Sequence, residues 1–472
     1  MFFHGGNEIR ACCHTPNSEG MVLMSKAAVV VFGEINTPYE VLEKKRLDAL
    51  SELKKTDLTL LDAGIVIDDE RYETANAAIG RLKKEDFDAI ILCVAGWIPT
   101  HAVIKVADPF KSVPMVLWGL CGFMENGVLV STADQAGTTA LRPAMQAMRY
   151  TFKYVYSIIN KPHPVSGIAA YVKAAAAKKA LRDMRIGTMG YRDMLLYGTM
   201  FNGALLRDVL GLEVEPFEML EIARMNEDVA EADANGVVQK MKETYALTAD
   251  ADGDILIKSA KWAISICKLI DARGYGAITL NDVNGMKKLE NLPPALTFMM
   301  IDRMRTVCTI PENDVMGSAT QLICRCLTGQ IAAYAEFYEF FEDSFLCGVP
   351  DFIPLEVTDG KPVLQPSAFG LLSTSVLNVS KYKTGLMTFA RLAEYDGKLL
   401  MHLFTGDGRT PPAWQECGWA QPAPQLPSLQ VFPHCGMDEF AGKVSSQHII
   451  VTYGDHTSEI REFCSMLSIG LL

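Results

Sequence analysis

The chain has 472 residues, 49% of them hydrophobic and 21% charged, and carries a formal net charge of −12. That balance describes a folded protein of two to four domains and excludes a disordered or fibrous chain. The acidic surplus, with no basic run longer than EKKR at residues 43–46, argues against a nucleic-acid partner.

No apolar run reaches the roughly 20 residues of a bilayer span, so no membrane-spanning helix is expected. The twelve cysteines are scattered and contain no Cys-x-x-Cys pair, which fits free thiols in a reducing cytoplasm. The first 23 residues, MFFHGGNEIRACCHTPNSEGMVL, lack a basic n-region and an apolar core and do not read as a signal peptide. Met24 is a candidate start, and residues 1–25 stand as an N-terminal extension outside the fold.

From residue 26 to 162 short apolar runs alternate with helical stretches: AAVVVF, an amphipathic segment at 39–55, LTLLDAG, a polar helix at 69–84, DAIILCVAG and VPMVLWGL. Continuous apolar strands separated by helices predict a parallel sheet covered on both faces. FGEINTP follows the first strand where a dinucleotide fold carries G-x-G-x-x-G, so no dinucleotide site is expected there.

A second alternating section, residues 163–342, opens with VSGIAAYV ahead of an alanine-rich helix, KAAAAKKALRDM. It continues through the strand RIGTMG, a helix at about 196–210, LEVEPFEML, the long helix DILIKSAKWAISICKLIDARG and the strand GAITL. Over residues 343–472 prolines and glycines multiply and β-prone pieces appear (IPLEV, GLMTFARL, KLLMHLF, LQVF, HIIVTY), closed by a helix at about 457–467. The expected fold is α/β, with two doubly wound α/β domains followed by a β-rich, barrel-like C-terminal domain.

Glu312 and Asp314 lie in PENDVMGSAT, just ahead of the apolar helical spacing of TQLICRCL. Either acid suits the positive end of a helix, and that bland role competes with a ligand role. Glu336 ends IAAYAE, a small-residue run that reads as a strand buried on both faces, with the acid at its carboxyl end where α/β proteins bind ligands. Glu339 and Glu342 read as solvated acids, and His456 as a surface residue at a helix start. His448 directly precedes the strand HIIVTY; a lone histidine is more often structural than a ligand. The two glutamates are 24 positions apart and Glu336 is 112 from His448, so no local metal motif exists. Two carboxylates and an imidazole would nevertheless suit a hard-to-borderline divalent ion such as Mn2+.

Three stretches resemble the L-fucose isomerase and L-arabinose isomerase superfamily of metal-dependent ketol isomerases: PENDVMGSATQLICRCLTGQIAAYAEF, GYRDMLLYGTMFNGALLRDVLGLEVEPFEMLEI and SSQHIIVTYGDHTSEIREFCSMLSI. With the weaker likenesses AGWIPT and VPMVLWGLCG, the resemblance runs from about residue 26 to the end. It implies that Glu312, Glu336 and His448 bind Mn2+, that Glu312 and Glu336 are catalytic, and that Asp314 orients ligands or sugar hydroxyls. It further implies that Met194 and Trp97 lie against substrate. The fucose branch carries aspartate at the position of Glu336 and the arabinose branch glutamate, so this chain mixes features of both. Trp414 and Trp419 are candidates for the fucose branch's substrate-binding tryptophan.

The implied activity is a cytoplasmic aldose-ketose isomerase working through a metal-stabilised cis-enediolate. The implied substrate is a monosaccharide: a pentose, a 6-deoxyhexose or a 6-substituted hexose, such as L-fucose, L-arabinose, D-arabinose or sulfoquinovose. The resemblance also implies a homo-oligomer, trimeric or hexameric. Two alternatives stand beside it: a sugar-binding or regulatory protein using the same α/β domains without turnover, and a metal-dependent sugar epimerase or lyase.

Overall fold

The computed structural model describes residues 23–247, 253–349, 352–367, 375–378, 380–412 and 428–472. Trp414, Trp419 and most of the N-terminal extension lie outside the described residues. Helices flank two parallel sheets, and an antiparallel barrel follows them in the chain.

The first sheet has five parallel strands in the order Thr59–Val66, Lys26–Phe32, Ala89–Val94, Met115–Gly119, Phe152–Tyr156. After Lys26 its three central strands are apolar or glycine at every position and buried throughout because both faces are covered. Along Lys26–Phe32, residues Ala28, Val30 and Phe32 enter one core, with side chains of the helices Glu73–Leu82, Thr100–Ala107 and Asp134–Ala147. Ala27, Val29 and Val31 enter another, against Tyr39–Leu53 and Val165–Leu181.

VSGIAAYV and the alanine-rich segment after it are one helix, Val165–Leu181. Alanine keeps it narrow, and it serves two cores: Ile168, Val172 and Ala175 pack under the first sheet, while Ala174, Ala177 and Leu181 join the core of the remaining chain. The second sheet is parallel, in the order Cys308–Ile310, Tyr275–Leu280, Arg185–Met189, Glu213–Phe217. The helix expected at 196–210 starts later, at Gly203, where the Asn202 side chain accepts from the Leu205 N–H and caps it. Residues 190–202 are instead a loop.

Six antiparallel strands close the barrel, in the circular order Gly385–Tyr395, His448–Tyr453, Ala333–Phe340, Phe345–Gly348, Leu429–Pro433, Lys398–Arg409. Closure removes the open edges that such strands would otherwise present. IPLEV is not one of them; it forms the short turn Leu355–Val357. Ala333–Phe340, expected as a strand of the central α/β section ending at Glu336, is a barrel strand that runs on to Phe340. Glu336 therefore sits in mid-strand, beside two antiparallel neighbours.

Between the second sheet and the barrel runs the helix Val315–Thr328, buried from Val315 through Leu327. A helix enclosed all round is normally apolar, yet this one carries Thr320, Gln321 and Arg325. Their donors are met by the carbonyls of Met316, of Thr309 and Ala332, and of Thr306, respectively. The last helix, Thr457–Met466, packs back on Val165–Leu181, where Glu462 pairs with Lys153. No helix among the described residues is long and apolar enough to cross a membrane.

Candidate metal centre

The second sheet delivers three loops at the carboxyl ends of its strands, the edge where open α/β sheets bind ligands. Residues 190–202 follow Arg185–Met189, Asp282 follows Tyr275–Leu280, and Glu312 follows Cys308–Ile310. The Glu312 turn is held from the ends of the next two strands in the sheet, Tyr275–Leu280 and Arg185–Met189. Its own N–H donates to Asp282 Oδ1 at 2.7 Å, and the Asn313 N–H to the Leu280 carbonyl at 3.1 Å. Asn313 Nδ2 donates to the Met189 carbonyl at 2.7 Å and to Thr188 Oγ1 at 3.1 Å. These bonds maintain a left-handed backbone at two successive residues, φ 65° at Glu312 and 55° at Asn313. Asparagine tolerates that region, whereas glutamate pays about 1–3 kcal/mol for it.

Asp314 is the acid that caps the following helix, accepting from the Gly317 N–H at 2.8 Å. Its fully buried carboxylate also takes both ends of the Arg391 guanidinium, at 2.5 and 2.9 Å, and meets His448 Nδ1 at 2.8 Å. Gly317 makes room for this arrangement, since a Cβ there would fall 2.5 Å from Asp314 Oδ2 and 2.8 Å from the Arg391 guanidinium.

From the barrel, Glu336 and His448 are paired directly across neighbouring strands. His448 Nε2 lies 3.2 Å from Glu336 Oε1 and 3.7 Å from Glu312 Oε2. Gln447 Nε2 steadies Glu312 Oε2 at 2.5 Å, and the Tyr334 ring meets the imidazole edge-on at 5.5 Å between centroids. Glu312, Glu336 and His448 thus bring one ligand atom each to within 4.8 Å of one another.

The electrostatics follow from this geometry. Burial works against a charged imidazole, but the hydrogen bonds to Asp314 and Glu336 and the nearby Glu312 charge outweigh it and lift His448 to about 10. Burial likewise opposes ionisation of Asp314, yet Arg391 and His448 hold its carboxyl well below the usual carboxylate range. The Asp314–Arg391 pair is internally neutral. The carboxylates of Glu312 and Glu336 both face the other imidazole nitrogen.

The donor set fits a divalent ion. With Asp314 accepting a hydrogen bond from Nδ1–H, Nε2 is left as the coordinating nitrogen facing both glutamates, the carboxylate–histidine arrangement that orients metal ligands. With the imidazole neutral, Glu312 and Glu336 supply a charge of −2.

Of the other anticipated residues, Met194 is 37% exposed with φ 47°, in the 190–202 loop. Buried Asp193 pins that loop, accepting from the N–H groups of Val283, Asn284 and Met194, and Arg391 makes a long 3.5 Å contact to the Gly198 carbonyl. Trp97 is 42% exposed on the first domain, held through its backbone by Glu34 and Thr132. Among the described residues no hydrogen bond or ring contact joins its side chain to the cluster. Asp193, Asp282, Arg391 and Gln447 support the site without having been anticipated. Gln447 adjoins His448, and Asp282 and Asp193 follow strand ends where the sheet rule points. Arg391 gives no local signal, being 77 positions from its partner.

No protein-family model matches the chain, and no curated protein matches it in sequence. The functional reading therefore rests on the geometry and on the residues that carry the resemblance.

Proposed function

We propose that the chain is an aldose-ketose isomerase, built on two doubly wound α/β domains and a barrel, and dependent on a divalent ion, Mn2+ being the best match to a mixed carboxylate and imidazole set. The observation that carries this reading is the convergence of Glu312, Glu336 and His448 from a sheet end and two barrel strands, with Asp314 fixing the imidazole. Glu312, Glu336 and His448 would hold the ion, which when bound would draw electron density from a sugar carbonyl and acidify the adjacent C–H.

The chain's own groups then move the protons. One glutamate carboxylate takes the proton from C2 and returns it at C1, while the other carries the hydroxyl proton between the two oxygens, so atoms and charge balance with no external oxidant. Asp314 keeps the Nδ1 proton in place and Arg391 keeps Asp314 ionised, so neither touches the reacting carbons. Gln447 aims Glu312.

Met194, on the pinned loop, is assigned to substrate contact. The exposed apolar side chains Tyr191, Leu195, Tyr197 and Met200 on that loop suit a subunit contact, and Trp97 suits the neighbouring subunit's site. This fits a trimer or hexamer acting on a monosaccharide in the cytoplasm. Incubating the purified protein with Mn2+ and a panel of pentoses, 6-deoxyhexoses and 6-substituted hexoses tests the proposal. Formation of a ketose from one of them is expected, and a panel left unchanged would contradict it.

A further inference from the structure

Beside the second half of the helix Val315–Thr328 lies a cavity of about 500 Å³ that the proposed chemistry does not use. It is bordered by the end of Pro294–Met304, the start of Cys308–Ile310, the second half of Val315–Thr328 and the segment 352–357. Gln321 lines it and is 2% exposed. Both Gln321 Nε2 hydrogens are spent on the Thr309 and Ala332 carbonyls, at 2.9 and 3.0 Å, which fixes the amide's orientation and leaves Oε1 buried with no donor. Asp302 Oδ2, also in the lining, is a second buried acceptor with no donor. Buried acceptors of this kind are nearly always met in a native protein, so the cavity calls for a molecule that brings hydrogens.

The lining also says which kind. Its ionisable groups are two acids, Asp302 and Glu356, and two guanidiniums, Arg303 and Arg325, so the lining is not built around one sign of charge. The lining holds acceptors in Asp302, Glu356 and Gln321 Oε1 and charged donors in Arg303 and Arg325. Hydroxyl groups, each both donor and acceptor, can meet the carboxylates, the guanidiniums and the amide oxygen alike. Burial and then the Glu356 charge push Asp302 up to about 7, so it too can serve in either sense near neutrality. Phe352, Val357 and Ile331 supply apolar surface for C–H groups.

We infer that this cavity is a second ligand site, separate from the metal centre, that takes a small neutral polyhydroxylated molecule such as an open-chain polyol or a free sugar. The two sites stand at opposite ends of the same elements. Thr309 precedes the Glu312 turn, Ala332 precedes the strand of Glu336, and Tyr453 closes the strand that His448 opens.

Xylitol, which cannot be isomerised, is the probe, followed by saturation-transfer NMR on the full-length Glu312→Gln protein without metal, so that the metal centre contributes nothing. Binding in the range of about 1 mM is expected. Arg303→Ala should weaken it about tenfold by removing a charged donor. Thr306→Trp, at an exposed rim position, should abolish it by filling the entrance. Glycine and inorganic phosphate should not compete. Absence of saturation transfer, unchanged binding in both variants, or preference for glycine or phosphate would overturn the inference.

Discussion

In the first domain, Lys45 and Asp134 form a buried pair beside the end of the Ala89–Val94 strand. Between the second sheet and the barrel, Arg391 and Asp314 do the same beside the Glu312 turn. The Lys45 ammonium reaches the Ala95 carbonyl at 3.0 Å, Thr132 Oγ1 at 2.6 Å and Asp134 Oδ1 at 2.5 Å, using its three donors on three acceptors. One cation meets one anion there, and the cluster is closed. The Arg391–Asp314 pair is equally buried, but Asp314 also grips His448, which faces two further carboxylates. The difference lies in what each pair is joined to: among the described residues no further titratable side chain bonds the Lys45–Asp134 pair, whereas Asp314 is joined to an imidazole that faces the carboxylates of Glu312 and Glu336. Buried ion pairs are poor evidence for function by themselves. Two carboxylates converging on an imidazole that a third carboxylate orients are better evidence.

Breaking the comparison at its open end should give the largest effect. Glu312→Gln keeps the shape of the side chain but removes a ligand charge and a proton carrier; turnover should fall by about 10³-fold or more while the circular dichroism spectrum and the melting transition stay near wild type. Undiminished ketose formation would remove Glu312 from the chemistry. Next come the two cations. Lys45→Met and Arg391→Met each strand a buried carboxylate, and each should cost about 3–5 kcal/mol in denaturant unfolding. Only Arg391→Met should also weaken Mn2+ retention in the folded protein, as measured by elemental analysis after dialysis.

Asp314→Asn sharpens the contrast at smaller cost. It leaves the ligands in place but loosens control of the imidazole, and Mn2+ affinity should drop about 10–100-fold, whereas Asp134→Asn should leave it unchanged. The smallest effect is in pH dependence. Because His448 is raised from 6.5 to about 10 on folding, it binds its proton more tightly in the native state. Its contribution to the stability of the metal-free protein is therefore complete below pH 6.5 and lost as pH rises through about 10. Melting temperatures of the metal-free protein should fall across that interval, and His448→Gln should flatten the decline.

Much of the fold was legible because burial on both faces forces continuous apolar strands, and AAVVVF, DAIILCVAG and GAITL announce themselves. VSGIAAYV was ambiguous because small apolar residues serve a strand or a tightly packed helix equally well, and only the two cores on either side of Val165–Leu181 decide. Glu336 was legible as a residue but not in its place, since IAAYAE carries no mark of whether its strand joins a parallel sheet or a barrel. Glu312 and His448 stood out through the resemblance, not through spacing. Arg391 stayed hidden because an arginine in GLMTFARLAEY reads as a solvent-facing position, and its burial depends on a carboxylate 77 positions away. The second cavity could not be read at all, because Gln321 acquires an unmet acceptor only when Thr309 and Ala332 both claim its amide hydrogens.

The most direct test is anomalous diffraction from crystals of the wild-type protein soaked in Mn2+, with the Asp314→Asn protein alongside. A single strong peak in contact with Glu312, Glu336 and His448, weakened in the variant, is the predicted result. A peak elsewhere, or none between these three side chains at saturating Mn2+, would contradict the metal centre and with it the proposed isomerase.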